Sequence, residues 1–207
     1  MHPSPVYRPA NHDESLTLAS EMGFGMLAVS VPDTAPMISH IPFLLSNDGT
    51  SAELHLVRSN PIARALSTPL PARLAIQGPH SYISPDWYGT DDQVPTWNYL
   101  AIHLTGRLFP METEALTGVL ERLSEHFEAR LAPKPEWLMD KLSASATSRM
   151  MRQIVPVRFE IESVESTWKL GQDKLDSARL SAADHVATYG IGLETRLLSA
   201  MMRKPPK

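Results

Sequence analysis

A chain of 207 residues, 43% hydrophobic and 20% charged, is long enough for one substantial domain with its own core. A formal net charge of −4 argues against a protein that wraps nucleic acid, which needs a basic surface to displace counterions. No cysteine is present, which excludes a disulfide framework and thiolate chemistry; the polar N-terminus lacks an apolar signal core and no window is apolar enough to span a membrane, so a cytoplasmic protein is expected.

Residues 1–12 read as an extended, proline-rich arm. "DESLTLASEMG" reads as a short helix, with Asp13 as N-cap and Gly23 as stop. "FGMLAVSV" (24–31) carries the alternation of a half-buried strand. "MISHIPFLLS" (37–46) reads as a second strand that Pro42 confines to an edge or a bulge. "NDGT" (47–50) is a hairpin turn, and "SAELHLV" (51–57) is the returning strand. Asn60-Pro61 opens a short helix, an N-cap followed by a ring already at helical φ. "ARLAIQG" (72–78) and "HSYIS" (80–84) read as strands separated by Gly78-Pro79.

"TWNYLAIHLTGRLF" (96–109) is the longest strand candidate. Its alternation puts Trp97, Tyr99, Ala101, His103 and Thr105 on one face and Asn98, Leu100, Ile102, Leu104 and Gly106 on the other. The pattern then turns helical, with apolar residues at 116, 119, 120, 123, 127 and 131 and Thr113 as N-cap. Two further helical pieces complete a helical part over 111–154. "PVRFEIESVESTW" returns to strand, and 176–203 reads as C-terminal helices. The sum is one mainly β (α+β) domain over 1–207: a small antiparallel barrel of six or seven strands decorated by helices.

Several residues could carry chemistry. His40, His55, His80 and His103 lie in the barrel region, but their spacing is not that of a metal site, and no metal is expected. "HLVRSNPIAR" (55–64) brings His55, Arg58 and the helix start at Asn60 together. That is either an anion site, with Arg58 forking onto phosphate, or a capped helix with a surface arginine. Residues 79–99 hold Tyr82, Trp87, Tyr88, Trp97 and Tyr99, five of the chain's fourteen aromatics. They read either as a satellite core or as flat surfaces beside Asn98 for a heteroaromatic ligand.

"GPHSYISPDWY" followed by "VPTWNY" resembles the PaiB family of FMN-binding transcriptional regulators, whose hallmark is GPHxYISPxWY and then VPTWNY. "ISHIPFLL", "LHLVRSNP" and "WKLGQDK" resemble the family's "THLPFLL", "GHLARANP" and "xKLSQNR". In the last, Gly171, Asp173 and Lys174 depart from the pattern, while Lys169 and Gln172 keep it. Ser39 stands for the family threonine.

The resemblance implies an antiparallel split barrel of the flavin-reductase and pyridoxamine phosphate oxidase type, an FMN cofactor and a homodimer with flavin at its interface. It places phosphate near His55, Arg58 and Asn60. It places the ring along His40, Ile41 and Pro42, close to Tyr82, Trp97, Asn98 and Tyr99, with Lys169 and Gln172 in the last motif. Three functions follow from it: a regulator or redox and metabolite sensor acting on DNA or through a partner protein, an FMN-dependent oxidoreductase, and a heme-binding member of the same barrel class. Operator binding rests on the resemblance alone, because no helix-turn-helix is evident in an acidic chain.

Overall fold

The computed structural model describes residues 1–8 and 12–206. Eight strands form one sheet in the order β2-β1-β5-β6-β7-β4-β3, with β8 paired to β5. The chain divides into two compact units, one made of Met1–Ser15, Ile76–His103 and Glu165–Lys207, the other of Leu16–Ala75 and Leu104–Val164.

The expected N-terminal arm is partly structured. Pro5–Tyr7 forms a 3-10 turn, Tyr7 is buried, and the His2 backbone N–H donates to Thr167 Oγ1 at 3.0 Å. The first helix, α1, spans His12–Met22, so Asp13 lies inside its first turn and is not its N-cap. A carboxylate there still complements the helix dipole, which is why the two roles look alike in sequence. Gly23 ends α1 at φ +56°, a conformation that costs glycine little.

In the second unit, β1 (Phe24–Val29) pairs antiparallel with β2 (Met37–Pro42), placing Met26 opposite His40 and Phe24 opposite Pro42. Pro42 closes the edge strand β2, where a missing N–H breaks no ladder. The hairpin from β3 (Leu44–Leu45) to β4 (Ser51–Val57) turns through Asp48 and Gly49. The Asp48 carboxylate accepts from Ser46 Oγ (2.6 Å), Thr50 N (3.1 Å) and Thr50 Oγ1 (2.8 Å), and Gly49 takes φ +68°. These bonds, led by that from Ser46, hold the Asp48 pKa down at about 2. Next, α2 (Pro61–Ala65) begins where expected, with Asn60 Oδ1 accepting from Ile62 N at 2.9 Å.

The helices between the long strands are α3 (Leu116–Glu128) and α4 (Ala144–Met151). Thr113 is not the cap of α3; it opens a 3-10 turn that precedes the helix. Leu116, Val119 and Leu123 are buried, and Arg122 clamps α3 to β4 through a two-pronged ion pair with Glu53, at 2.9 and 2.8 Å. Along β4 the partner strand is β7 (Ile154–Lys169), in register from Ser51 opposite Glu160 to Val57 opposite Ile154.

Two long strands carry the burial pattern that matters most. In β6 (Thr96–Pro110), Asn98, Leu100, Ile102, Leu104, Gly106 and Leu108 are buried, while Trp97, Tyr99, Ala101, His103 and Thr105 are not. The expected two-strand reading of 72–84 is corrected: β5 (Leu70–Ile83) is continuous through Gly78-Pro79. Its buried positions run Ala72, Leu74, Ile76, Gly78 and then Pro79, Ser81, Ile83. That one-residue change of phase is what a bulge does, and Gly-Pro suits it by lacking a side chain and then an N–H.

In the first unit, the C-terminal region holds helices as expected. α5 (Asp176–Tyr189) and α6 (Thr195–Arg203) are separated by the short strand β8 (Gly192–Leu193), which pairs with β5. A Cβ on Gly192 would lie 2.0 Å from the His80 carbonyl oxygen, so only glycine permits this approach. α5 and α6 bury Ala182, Ala183, Val186, Leu198 and Met202. Buried Arg179 joins them by donating to the Met202 carbonyl and the Asp176 carboxylate.

A Cβ on Gly106 of β6 would sit 1.8 Å from the backbone oxygen of Glu160 in β7. Gly106→Ala is expected to destabilise the protein by about 3 kcal/mol or to prevent folding, since backbone cannot yield as a side-chain tip does. Urea denaturation of both forms reads the difference; an unchanged midpoint would refute this close approach.

Candidate functional site

The residues singled out from sequence fall into two groups, one in each unit. In the second unit, Asn60 is a structural bridge. Besides capping α2, its Nδ2 donates to Ser39 Oγ at 2.6 Å, which ties α2 to β2 and explains why a hydroxyl stands at position 39. Arg58 is exposed and leans on the chain before β7, donating from Nε to the Arg152 carbonyl (3.1 Å) and from Nη2 to that of Ile154 (3.3 Å). Two of its five donors are thus engaged, and the guanidinium is fixed in direction.

His55 on β4 faces α3. With Pro42, Leu123, Phe127, Glu128 and Trp137 it lines a cleft of about 280 Å³. Its Nδ1 is buried without a hydrogen-bond partner, and burial lowers its pKa from the ordinary 6.5. Burial therefore favours the neutral imidazole. The cleft wall is held by Glu128, whose carboxylate accepts from Lys134 Nζ and from Trp137 N at 2.8 Å.

His40 and Pro42 share the outward face of β2 with Ile38, whereas Ile41 points into the core. Phe24 on β1 lies parallel to His40, with ring centroids 6.5 Å apart and planes at 22°. Phe24 is 53% and Ile38 56% exposed, so this sheet face is apolar and uncovered.

The first unit resolves the aromatic segment into two parts. Trp87 stacks on His185 of α5 (5.7 Å, 10°), and Tyr88 is buried beneath Lys174, whose ammonium lies 5.4 Å from its ring. These two are satellite core. Tyr82 and Trp97 are different: they stand on the outward faces of β5 and β6, rings 6.4 Å apart and edge-on, with His80 5.4 Å from Trp97. Trp97 is 44% exposed, and Tyr99 is on its face of β6. Asn98 is turned the other way, almost fully buried, and its Nδ2 has no hydrogen-bond partner.

The last motif is a tight turn. Gln172 Oε1 accepts from Leu170 N at 2.8 Å and its Nε2 donates to the Trp168 carbonyl, so both ends of the amide close the loop. Gly171 has φ +81°, which accounts for glycine at this place. Lys169 Nζ donates to Thr96 Oγ1 at 2.6 Å and lies 5.7 Å from the Tyr7 ring; burial lowers its pKa. Asp173, a departure from the family pattern, has local partners. Its charge sits by Lys174 (3.3 Å) and joins burial, the larger cause, in raising the Tyr7 and Tyr88 phenols to about 12.

An antiparallel sheet with an uncovered aromatic face, set among helices, defines a flavin-type split barrel of mixed α and β structure. The chain belongs to the family described as "Putative FMN-binding domain", which matches residues 1–163. It is 27% identical over 182 residues to the Bacillus subtilis "Protease synthase and sporulation protein PAI 2", covering 87% of this chain and 86% of that one. Among solved structures it resembles the "FAD and Heme binding protein from Mycobacterium smegmatis" (TM-score 0.58, 16% identity, 90% and 82% of the two chains). It also resembles the conserved protein Rv2991 of Mycobacterium tuberculosis (TM-score 0.56, 16% identity, 84% and 94%). The resemblance read from "GPHSYISPDWY" and "VPTWNY" therefore holds at the level of family and fold.

The residues present fit FMN. In the first unit, flat and exposed side chains are of the kind that suits its ring system; in the second, the partnerless His55 Nδ1 and the directed Arg58 guanidinium are of the kind that suits a hydrogen bond and a phosphate. Sequence reasoning missed Phe24, Glu128 and Trp137: the first looked like an ordinary strand residue, and the others lie in a segment read only as helical.

His55 is expected to titrate below 6.5 in the folded, flavin-free protein. Because unfolding restores the higher value, this group's contribution to stability is complete above pH 6.5 and is lost as the pH falls through the window below it. Carbon-detected NMR of the imidazole checks this; a titration at or above 6.5 would mean that His55 is hydrated or paired.

Proposed function

We propose that the protein is a homodimeric FMN-binding regulator or redox and metabolite sensor. The observation that carries this reading is the half-exposed Trp97, flanked by Tyr82 and Tyr99, on a strand whose opposite face is fully buried. Exposed Phe24 and Ile38 in the second unit add to it. Uncovered apolar sheet faces of this kind call for a flat ligand, a second chain, or both.

In this reading Arg58 holds the phosphate, with His55 and Asn60 beside it. His40, Ile41 and Pro42 give an edge to the ring, and Tyr82, Trp97 and Tyr99 give it stacking surface. Asn98, on the buried face of β6, backs this stacking surface, while Lys169 and Gln172 shape the loop that follows β7. Bound FMN brings one- and two-electron redox chemistry of its own. The chain's part is to orient it, exclude water and set the charge around it. An oxidoreductase remains the alternative, since the described residues near Trp97 would need only to position a second substrate.

Direct operator binding is not favoured. Nineteen basic residues stand against twenty-three acidic ones, so regulation is assigned to a partner protein or to flavin-dependent metabolism. A specific complex with promoter DNA at about 0.15 M salt, surviving excess competitor, would overturn that assignment.

Arg58→Ala is expected to weaken FMN by about ten- to a hundredfold, the roughly 1.5–3 kcal/mol of a charge-assisted contact, and riboflavin much less. Paired titrations of the two flavins read this. Equal weakening of both would show that Arg58 matters through the carbonyls of Arg152 and Ile154 and not through phosphate.

A further inference from the structure

Beside the His55 cleft, the second unit holds another cavity, of about 190 Å³, under α4. It shares Leu120, Ser124 and Trp137 with the cleft, is lined on its other sides mainly by methionine and aliphatic side chains, and opens to solvent, since its lining residues are half-buried or exposed. None of its lining residues is ionisable. The cavity also explains an irregularity of α3. Leu120 lies in the apolar stripe but is only half-buried, because it faces this space while Leu116, Val119 and Leu123 pack inward.

We propose that this cavity is a binding site for a small, uncharged, single-ring aromatic molecule, distinct from the flavin. The size fits: an apolar protein cavity of about 150 Å³ takes up benzene, and this one leaves room for one or two further heavy atoms. The three-ring flavin system is too large for it. The lining fits as well. Trp137 offers a flat wall, and Met139, Met150 and Met151 offer thioethers, which adapt their shape and contact ring edges favourably.

The hydroxyls of Ser124 and Thr147 and the indole N–H of Trp137 are the polar side-chain groups in the wall. Thr147 Oγ1 donates to the Ser143 carbonyl at 3.2 Å, as a helical threonine does, which leaves Ser124 and the Trp137 indole N–H to meet a hydroxyl or carbonyl on the ligand. A carboxylate or an ammonium would be partly desolvated against a wall that holds no counter-charge, and is disfavoured on that ground. Met150, 42% exposed, stands at the solvent side and gives the site an entrance. The wall is anchored by the Glu128 carboxylate through Lys134 and the Trp137 N–H, so Trp137 is held in place before any ligand arrives.

The test uses the full chain with ¹³C-methyl methionine, whose ten residues include three in this wall. Titration with p-cresol is expected to give saturable shifts of the Met139, Met150 and Met151 methyls, with Met26 and Met202 unmoved. The charged analogue 4-methylbenzoate should leave all of them in place. Ser124→Leu, which fills the shared wall from a helix position that tolerates leucine, should weaken p-cresol by about tenfold or more. Leu142→Trp fills the cavity from the opposite side and should do the same, with thermal melting confirming that each variant is folded. Shifts that never saturate, that spread to Met26 and Met202, that the benzoate reproduces, or that survive in both folded variants would overturn the proposal. Repeating the titration with FMN present should give the same shifts; competitive loss of them would place p-cresol in the flavin site and equally refute a separate one.

Discussion

The two-residue period of a long strand is the constraint on which everything else depends. Once β6 buries Asn98, Leu100, Ile102, Leu104 and Leu108, the positions between them must face outward, whatever they are. In this chain they are Trp97, Tyr99, Ala101 and His103. β5 obeys the same rule only after its change of phase at Gly78-Pro79, and that change is what turns His80 and Tyr82 to the outward face, with Ser81 and Ile83 inward. Without the slip, Tyr82 would be buried and Trp97 would lose its aromatic neighbour.

The polar residues named from sequence divide by what they already bond. Asn60 and Gln172 use both ends of their amides on nearby groups, and Arg58 uses part of its guanidinium on backbone carbonyls. They set the frame. Asn98 Nδ2 and His55 Nδ1 are buried and lack such bonds, a state that costs free energy unless something else supplies a partner. In a member of an FMN-binding family, these two atoms are among the places, in the described residues, where the folded chain has hydrogen-bonding capacity in reserve.

How much of this was legible depended on whether the signal was local. β4, the turn over 47–50 and the cap at Asn60-Pro61 are written in adjacent residues, and each stands where the sequence puts it. The faces of β6 follow from alternation alone. Asp13 and Thr113 were misplaced because the same residue types serve as caps and as first-turn residues. Gly78-Pro79 read as a break because the sequence does not say that neighbouring strands will carry the chain through it. Gly192 shows the same limit: its need for close approach to His80 is a tertiary fact. Trp87 and Tyr88 sit beside Tyr82 in sequence but belong to the packing of α5 and the 173–174 loop, so a cluster of aromatics in sequence proved to be two environments. The cavities on either side of Trp137 leave no trace in sequence, since they arise from what α3 and α4 fail to fill.

Sedimentation velocity of the protein with FMN, recorded at the visible flavin band, tests the central claim most directly. A flavin-bound homodimer, as proposed, predicts flavin absorbance that travels with a boundary of twice the chain mass, close to one FMN per chain. Flavin absorbance that stays behind as free ligand, or that moves with a stable single chain, would contradict it.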